Sequence, residues 1–195
     1  MEQGSVEWLA ARCGKATASE FAAVMAKIKT GEAATRRDYR IKLVTERLTG
    51  EPASTFNGNK ATEWGKLNEP DARAAYEAHS GNIVVEVGFI DHPTVAMCGS
   101  SPDGLIDEDG GCEIKCPFSS IVHVETLLNG KMPPEHKAQV QGNLWVTGRR
   151  WWDFVSFDPR MPEHLRLFVQ RIERDEEYIK ALDAEVQKFN NEVAE

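Results

Sequence analysis

The sequence predicts an α/β fold in which a central mixed β-sheet is flanked by helices. Three observations carry this expectation. Much of the first 80 residues repeats apolar side chains every three or four positions, as amphipathic helices do. From Ile83 to Lys115 the period changes to short β-rich runs separated by turn residues. Helical periodicity returns at the C-terminus in Ile179, Leu182, Val186, Phe189 and Val193.

Taken in order, Ser5 before Val6–Arg12, with Gly14 beyond, predicts a short capped helix that Trp8 anchors to the core. Thr17-Ala-Ser-Glu20 has the form of a capping box and precedes Phe21, Val24, Met25 and Ile28, the buried face of a second helix. Ala33 to Leu48 is a third, with Leu43, Val44 and Leu48 apolar, Arg36 and Arg40 on one face and Gly50 past its end. Glu51 to Lys60 reads as a mobile loop. Trp64 to His79 is amphipathic and closed by Gly81, with Pro70 tolerable only in a first turn or at a kink. Strands are expected at Ile83–Ile90, Val95–Ser100, Leu105–Asp107 and Cys112–Lys115, a helix at Val140–Val146, and strands at Trp151–Phe157 and through Leu165, Leu167 and Val169. Asp175, Glu176 and Glu177 suit the positive end of the last helix.

At 195 residues the length fits one domain, 1–195, with a sizeable core. No stretch approaches the roughly 18 to 20 apolar residues of a membrane span, and Met1 to Ala11 lacks the features of a signal peptide, so a cytoplasmic protein is expected. Cys13, Cys98, Cys112 and Cys116 follow no secreted pattern and are expected to be free thiols. The net charge of −8 argues at first against nucleic acid. Residues 1 to 60, however, carry 10 Lys+Arg against 7 Asp+Glu. Lys27, Lys29, Arg36, Arg37, Arg40 and Lys42 are dense enough there to line a phosphate-tracking surface, or equally to form a solvated helix face.

The chemistry lies in Ser100-Ser-Pro-Asp-Gly-Leu-Ile-Asp-Glu-Asp-Gly-Gly-Cys-Glu-Ile-Lys-Cys-Pro. Asp107 to Gly111 is the turn of a hairpin whose first strand begins at Asp103; Glu113 and Lys115 alternate on the second, so both face one side and Ile114 the other. Phosphodiester hydrolysis needs an activated water and neutralisation of a crowded phosphate, which one or two Mg²⁺ can supply. Asp103, Glu113 and the carbonyl of Ile114 offer the hard oxygens this ion prefers, with Mn²⁺ as a substitute. Lys115, favoured in its charged form by the carboxylates, would orient the water and stabilise transition-state charge. A zinc site from Cys112, Cys116, Cys98 and His92 has poor spacing.

Pro-Asp-Gly followed by Glu113-Ile-Lys resembles the PD-(D/E)xK nuclease signature, which implies a restriction-endonuclease-like core. Further matches resemble the lambda-type alkaline exonucleases, the YqaJ-like viral recombinase family: Trp8 with Arg12, Thr17-Ala-Ser-Glu20, Trp64-Gly-Lys-Leu-Asn-Glu69 with Asp71-Ala-Arg73, Ala138-Gln-Val-Gln141, Trp145-Val-Thr147, Asp158-Pro-Arg-Met161 and Glu173-Arg-Asp-Glu176. The resemblance implies a phage exonuclease that degrades the 5′ strand of linear double-stranded DNA to mononucleotides, working as a homotrimer with a single-strand annealing recombinase in the host cytoplasm. It makes Asp103, Glu113 and Lys115 catalytic, sets Glu69 near the metals, has Gln141 reach the site from its helix, and has Arg12, Ser19 and Ser101 hold the 5′-phosphate. Related sequences can carry an arginine shortly after Cys-Pro-Phe, where this chain has Ser119-Ser-Ile121; Lys15 is a candidate replacement. An endonuclease or nickase on the same core and a non-catalytic DNA-binding scaffold are the alternatives.

Overall fold

The computed structural model describes residues 1–53 and 59–195, so the middle of the loop expected at Glu51 to Lys60 lies outside the described residues. Helix α1 (Val6–Arg12) begins at Ser5, whose hydroxyl accepts the Trp8 N–H. Strand β1 (Ala16–Thr17) leads into a 3₁₀ turn (Ala18–Glu20) and the single-turn helix α2 (Phe21–Val24). The long second helix expected from Phe21 to Ile28 is therefore cut short: Met25 caps it and Ile28 is exposed. The capping box does not form either, because the Thr17 hydroxyl is engaged with Arg12 and Ser19.

Helix α3 (Ala34–Thr49) is closed by Gly50 in the left-handed conformation. It buries Tyr39 and Leu43, and its Leu48, expected apolar and inward, points to solvent. Helix α4 (Lys60–Ser80) starts four residues before the apolar pattern does, on an Asn59 cap that accepts the Thr62 N–H, so Pro70 sits mid-helix. Packing holds the helix through that missing rung: Ala72 and Tyr76, just beyond it, are fully buried.

Strand β2 (Ile90–Asp91) and strand β3 (Cys98–Ser100) form a three-stranded sheet with β1 in the order β1-β3-β2. Strands β4 (Gly104–Ile106), β5 (Gly110–Lys115), β6 (Trp151–Phe157) and β7 (Leu167–Glu173) form a second sheet in that order. β5 and β6 run parallel and the outer pairs antiparallel, which makes this sheet mixed as expected. The long strand expected at Ile83–Ile90 is reduced to a bridge between Val85 and Leu105 and the start of β2. Helix α5 (Ser120–Asn129) was not foreseen; its apolar residues Ile121 and Leu128 face solvent, so no buried stripe announces it.

Alternation along β5 and β6 divides the second sheet between two helices. Cys112, Ile114, Val155 and Phe157 pack with Ala72 and Tyr76 of α4. On the other face Trp152 packs with Val140 and Leu144 of α6 (Lys137–Thr147) and Ile179 of α7 (Glu176–Ala194). A third cluster joins α7 through Leu182, Val186 and Phe189 to Phe21, Tyr39 and Cys98, with the Tyr39 and Phe189 rings stacked at 5.4 Å. Asp175 caps α7 by accepting the Tyr178 N–H. All four cysteines are free.

Gly111 sits against the indole of the fully buried Trp152, where a Cβ would run into the ring. Gly111→Ala is expected to lose about 1–3 kcal/mol of stability through overpacking. Gly65→Ala, in open space on α4, should be neutral or gain up to about 1 kcal/mol. Thermal melts of the two variants check the contrast.

Candidate active site

The β4–β5 ladder pairs Gly104 with Cys112 and ends there, leaving Asp103 just before β4 and Ile114 beyond the last pair. Asp103 takes the place of the missing strand: its carboxylate accepts the Ile114 N–H at 2.7 Å. In an extended residue the carbonyl leaves on the same edge as the N–H, so the Ile114 carbonyl faces the Asp103 side. Glu113 is 1% exposed and points to the opposite face of the sheet from Ile114, toward α6. Lys115 follows it on that face and donates to Glu113 at 2.6 Å. The three residues read from the sequence thus form one cluster at the end of the hairpin.

The environment accounts for their protonation. Burial, and then the Glu113 charge, push the Asp103 carboxyl well above the ordinary carboxylate range, with Glu69 adding to the shift and Lys115 and the Ile114 N–H opposing it. Burial works against the Lys115 ammonium, but Glu113 and Asp103 outweigh it and hold its pKa above the ordinary lysine value. The cluster is short of positive charge even with Lys115 present. Two carboxylates and a strand carbonyl form a hard-oxygen donor set, while the thiol of Cys112 packs on the opposite face with Tyr76. These residues fit a hard divalent cation better than a thiophilic one.

Glu69 lies on α4 and lines a cleft of about 820 Å³ together with Asp103, Trp8 and Arg73. Arg73, one turn further along α4, donates to Glu69 at 3.1 Å and also pairs with Glu86. Gln141 is the residue the structure moves away from the cluster. It is buried on the far side of α6, donating to the Glu173 carbonyl and accepting the Asp175 N–H. Gln139, two residues earlier and so on the facing side of the helix, takes the expected place. Its amide donates to Glu113 at 2.5 Å and accepts from Lys115 at 3.2 Å. Asn143, four residues on, donates to the other Glu113 oxygen at 2.9 Å. Sequence reasoning missed Asn143, although the spacing of Gln139 and Asn143 at i and i+4 is the signal that one helical face carries two amides.

Arg12, Ser19 and Ser101 come together beside the same cleft. Arg12 donates to the Ser101 hydroxyl at 3.0 Å, to Ser19 at 3.3 Å and to Thr17 at 3.4 Å. Its guanidinium lies 4.1 Å from the Trp8 ring centroid, and the Trp8 indole N–H also donates to Ser101. Burial lowers the Arg12 pKa, and its hydrogen-bond partners among the described residues are neutral hydroxyls. Glu20 and Glu46 act on its charge without hydrogen-bonding it, and a guanidinium so placed favours an anion. Lys15, the candidate replacement for the missing arginine, pairs with Asp91 at 2.6 Å. Ile121 stands exposed at the start of α5.

The basic stretch of residues 27–42 behaves mostly as a helix surface rather than a phosphate track. Arg36 pairs with Glu32 and Glu192, Arg40 with Glu32, and Lys27 with Glu185. Their charge is neutralised within the fold. Among the described residues no helix is long and apolar enough to cross a membrane.

The chain is similar over nearly its whole length to an alkaline exonuclease, LHK-Exo, from Laribacter hongkongensis, with 46% identity, a TM-score of 0.90 and coverage of 97% of this chain and 93% of that one. The complex of LHK-Exo with dAMP matches equally well. A phage-related exonuclease from Haemophilus somnus 129PT shares the fold at 17% identity, with a TM-score of 0.68 and coverage of 92% and 93%. ExoD of Escherichia coli (strain K12) is 41% identical over 54 residues, which span 28% of this chain and 61% of that protein. Residues 7–150 match the model of the YqaJ-like viral recombinase domain, and the chain belongs to that family, on the fold of the alkaline exonucleases.

Proposed function

We propose that this protein is a Mg²⁺-dependent exodeoxyribonuclease that enters linear double-stranded DNA at a 5′ end, releases mononucleotides and leaves a 3′ single strand. The observation that carries the reading is the placement of an anion-seeking arginine pocket two residues of chain away from a carboxylate pair with a charged lysine. Asp103, Glu113 and the Ile114 carbonyl are the residues that would hold the metal, with Glu69 alongside. Mg²⁺ bound there would supply Lewis-acid stabilisation of the phosphate oxygens and an activated water. Lys115 keeps its proton and offers a donor to the developing charge, while Gln139 and Asn143 hold the Glu113 carboxylate in one orientation. Arg12, Ser19 and Ser101 bind the terminal phosphate. The dAMP-bound relative and the family of recombinase domains support a DNA substrate and a role beside a single-strand annealing protein in a phage-infected host cytoplasm.

Closed circular and linear duplexes incubated with Mg²⁺ test the reading directly: the linear form is degraded and the circle spared. Asp103→Ala, Glu113→Ala and Lys115→Ala are each expected to abolish cleavage while remaining folded, and EDTA to stop it until Mg²⁺ is restored. Cutting of the circle would instead favour an endonuclease on the same core.

The raised Asp103 pKa has a consequence for stability. An acid whose native pKa lies above its unfolded value weakens the fold above the unfolded pKa, and that penalty fades as pH falls through the native pKa. In EDTA at neutral pH, Asp103→Asn is expected to stabilise the protein by on the order of 1 kcal/mol, about 2–4 °C in the melt. Mg²⁺ should raise the melt of the wild type and not of the variant.

Arg12→Ala is expected to cost on the order of 2 kcal/mol, roughly thirtyfold in rate, on 5′-phosphorylated ends and much less on 5′-hydroxyl ends. Equal losses on both ends would make Arg12 a general backbone contact.

A chain of net charge −8 that tracks DNA needs its few basic pockets concentrated around the substrate, which a closed trimeric ring provides. Light scattering is expected to give about three times the 21.8 kDa chain mass. A strict monomer would remove the ring.

A further inference from the structure

The helical face that meets Glu113 and Lys115 carries three residues at helical spacing, His136, Gln139 and Asn143. Gln139 and Asn143 are spent on Glu113. His136, in the 3₁₀ turn (Pro134–His136) that leads into α6, is not spent on anything. Its ring lies on Phe154 with centroids 5.2 Å apart and planes at 26°, and Phe154 is the β6 residue in register with Glu113. No described residue hydrogen-bonds either ring nitrogen, and neither nitrogen is sealed from solvent.

The other inward histidines behave differently. His123 uses both nitrogens, on the Ser156 hydroxyl at 2.7 Å and the Leu165 carbonyl at 2.8 Å. His92 accepts the N–H groups of Thr94 and Val95 through Nδ1. His123 is thus a structural ring with both nitrogens consumed, and His92 is fixed through Nδ1 alone. His136 is pinned by its flat face on Phe154, the β6 partner of Glu113, and its ring nitrogens take no hydrogen-bond partner among the described residues.

Burial, and then the nearby Lys115 charge, lower the His136 pKa to about 4, so the ring is neutral at pH 7. A neutral imidazole carries one N–H donor without adding a second positive charge to the site. Lys115 and Gln139 take one Glu113 oxygen and Asn143 binds the other, whose remaining site is the one the metal would use. The acceptors left for that donor are those of an incoming substrate, which for a nuclease are phosphate oxygens.

We infer that His136 is a substrate-contacting residue whose ring N–H donates a hydrogen bond to a phosphate oxygen of the DNA strand at the cleavage site. The inference rests on the nuclease reading given above. It separates from that reading because Lys115→Ala tests the reading alone: full activity in that variant would overturn the nuclease site whatever His136 does.

Two isosteric pairs test the contact. His136→Tyr and His136→Phe both keep an aromatic ring on Phe154 and differ in one hydroxyl donor. His136→Gln and His136→Met have nearly equal volume and differ in an amide. In each pair the variant with a donor is expected to retain about tenfold or more higher kcat/KM on linear duplex, the usual worth of a hydrogen bond to a charged group. Binding of 5′-dAMP should weaken in the donorless variants, binding of deoxyadenosine should not change, and Mn²⁺ affinity should stay at the wild-type value. If the Phe and Tyr variants fail to fold, the Gln and Met pair decides alone. Equal kcat/KM within the folded pairs, or a loss that tracks Mn²⁺ affinity instead of the donor, would overturn the inference and leave His136 as a packing residue.

Discussion

Asp103 and Glu113 carry like charge, and the end of the β4–β5 hairpin forces them into one cluster; most of what surrounds them offsets that crowding. The Ile114 N–H reaches the Asp103 carboxylate where the strand ladder would otherwise continue. Lys115 brings a cation to Glu113 from the same strand, and two amides of α6 donate one to each Glu113 oxygen. Asp103 receives less relief than Glu113, since its partners are one backbone N–H and a more distant ammonium, and its carboxyl is correspondingly raised. The imbalance gives the cluster its need for a further positive charge. A fold optimised for stability alone would not bury this arrangement.

The hairpin could be read from the chain because its logic is local. The turn expected at Asp107 to Gly111 closes at Asp107 to Asp109, with Gly110 and Gly111 already paired in β5, and period-two alternation then decides which side chains share a face. β6 was readable for a related reason: Trp151–Phe157 is buried along nearly its whole length, and a β-rich run of that length has few other uses. The reading failed where tertiary contacts decide. Thr17 has the sequence of a cap but gives its hydroxyl to Arg12. Ile28 fits the helical period but lies beyond the end of a one-turn helix. Gln141 and Gln139 differ by two positions, about 200° around a helix, and nothing in the local sequence says which of them faces Glu113. The core composition of α6, buried nearly all round, hides the distinction.

The acidity of the chain is less of an obstacle to an anionic substrate than net charge suggests. Lys27, Arg36, Arg40 and Lys42 of the first third pair with Glu32, Glu46, Glu185 and Glu192 and would contribute little to a long-range field. Arg12 differs from these four, because its hydrogen-bond partners are neutral and its ring support is Trp8. Local desolvation there replaces the broad basic surface that a sequence-independent DNA binder would otherwise need. A consequence is steep dependence on a few contacts rather than on total charge.

Chain connectivity then couples the two halves of the site. Ser101, which Arg12 and Trp8 bind, and Asp103, which Ile114 holds, are separated by Pro102 alone, so their Cα atoms stand at most about 7 Å apart. That is the scale of one nucleotide step along a strand. A terminal phosphate held at Ser101 would set the next phosphodiester beside Asp103, which supports stepwise release of single nucleotides over the excision of longer pieces. Pro102 is itself buried, and its carbonyl accepts the Gln3 amide at 2.7 Å. The spacing between pocket and carboxylate is therefore held at both ends and in the middle, and proline limits the backbone rotation that would change it.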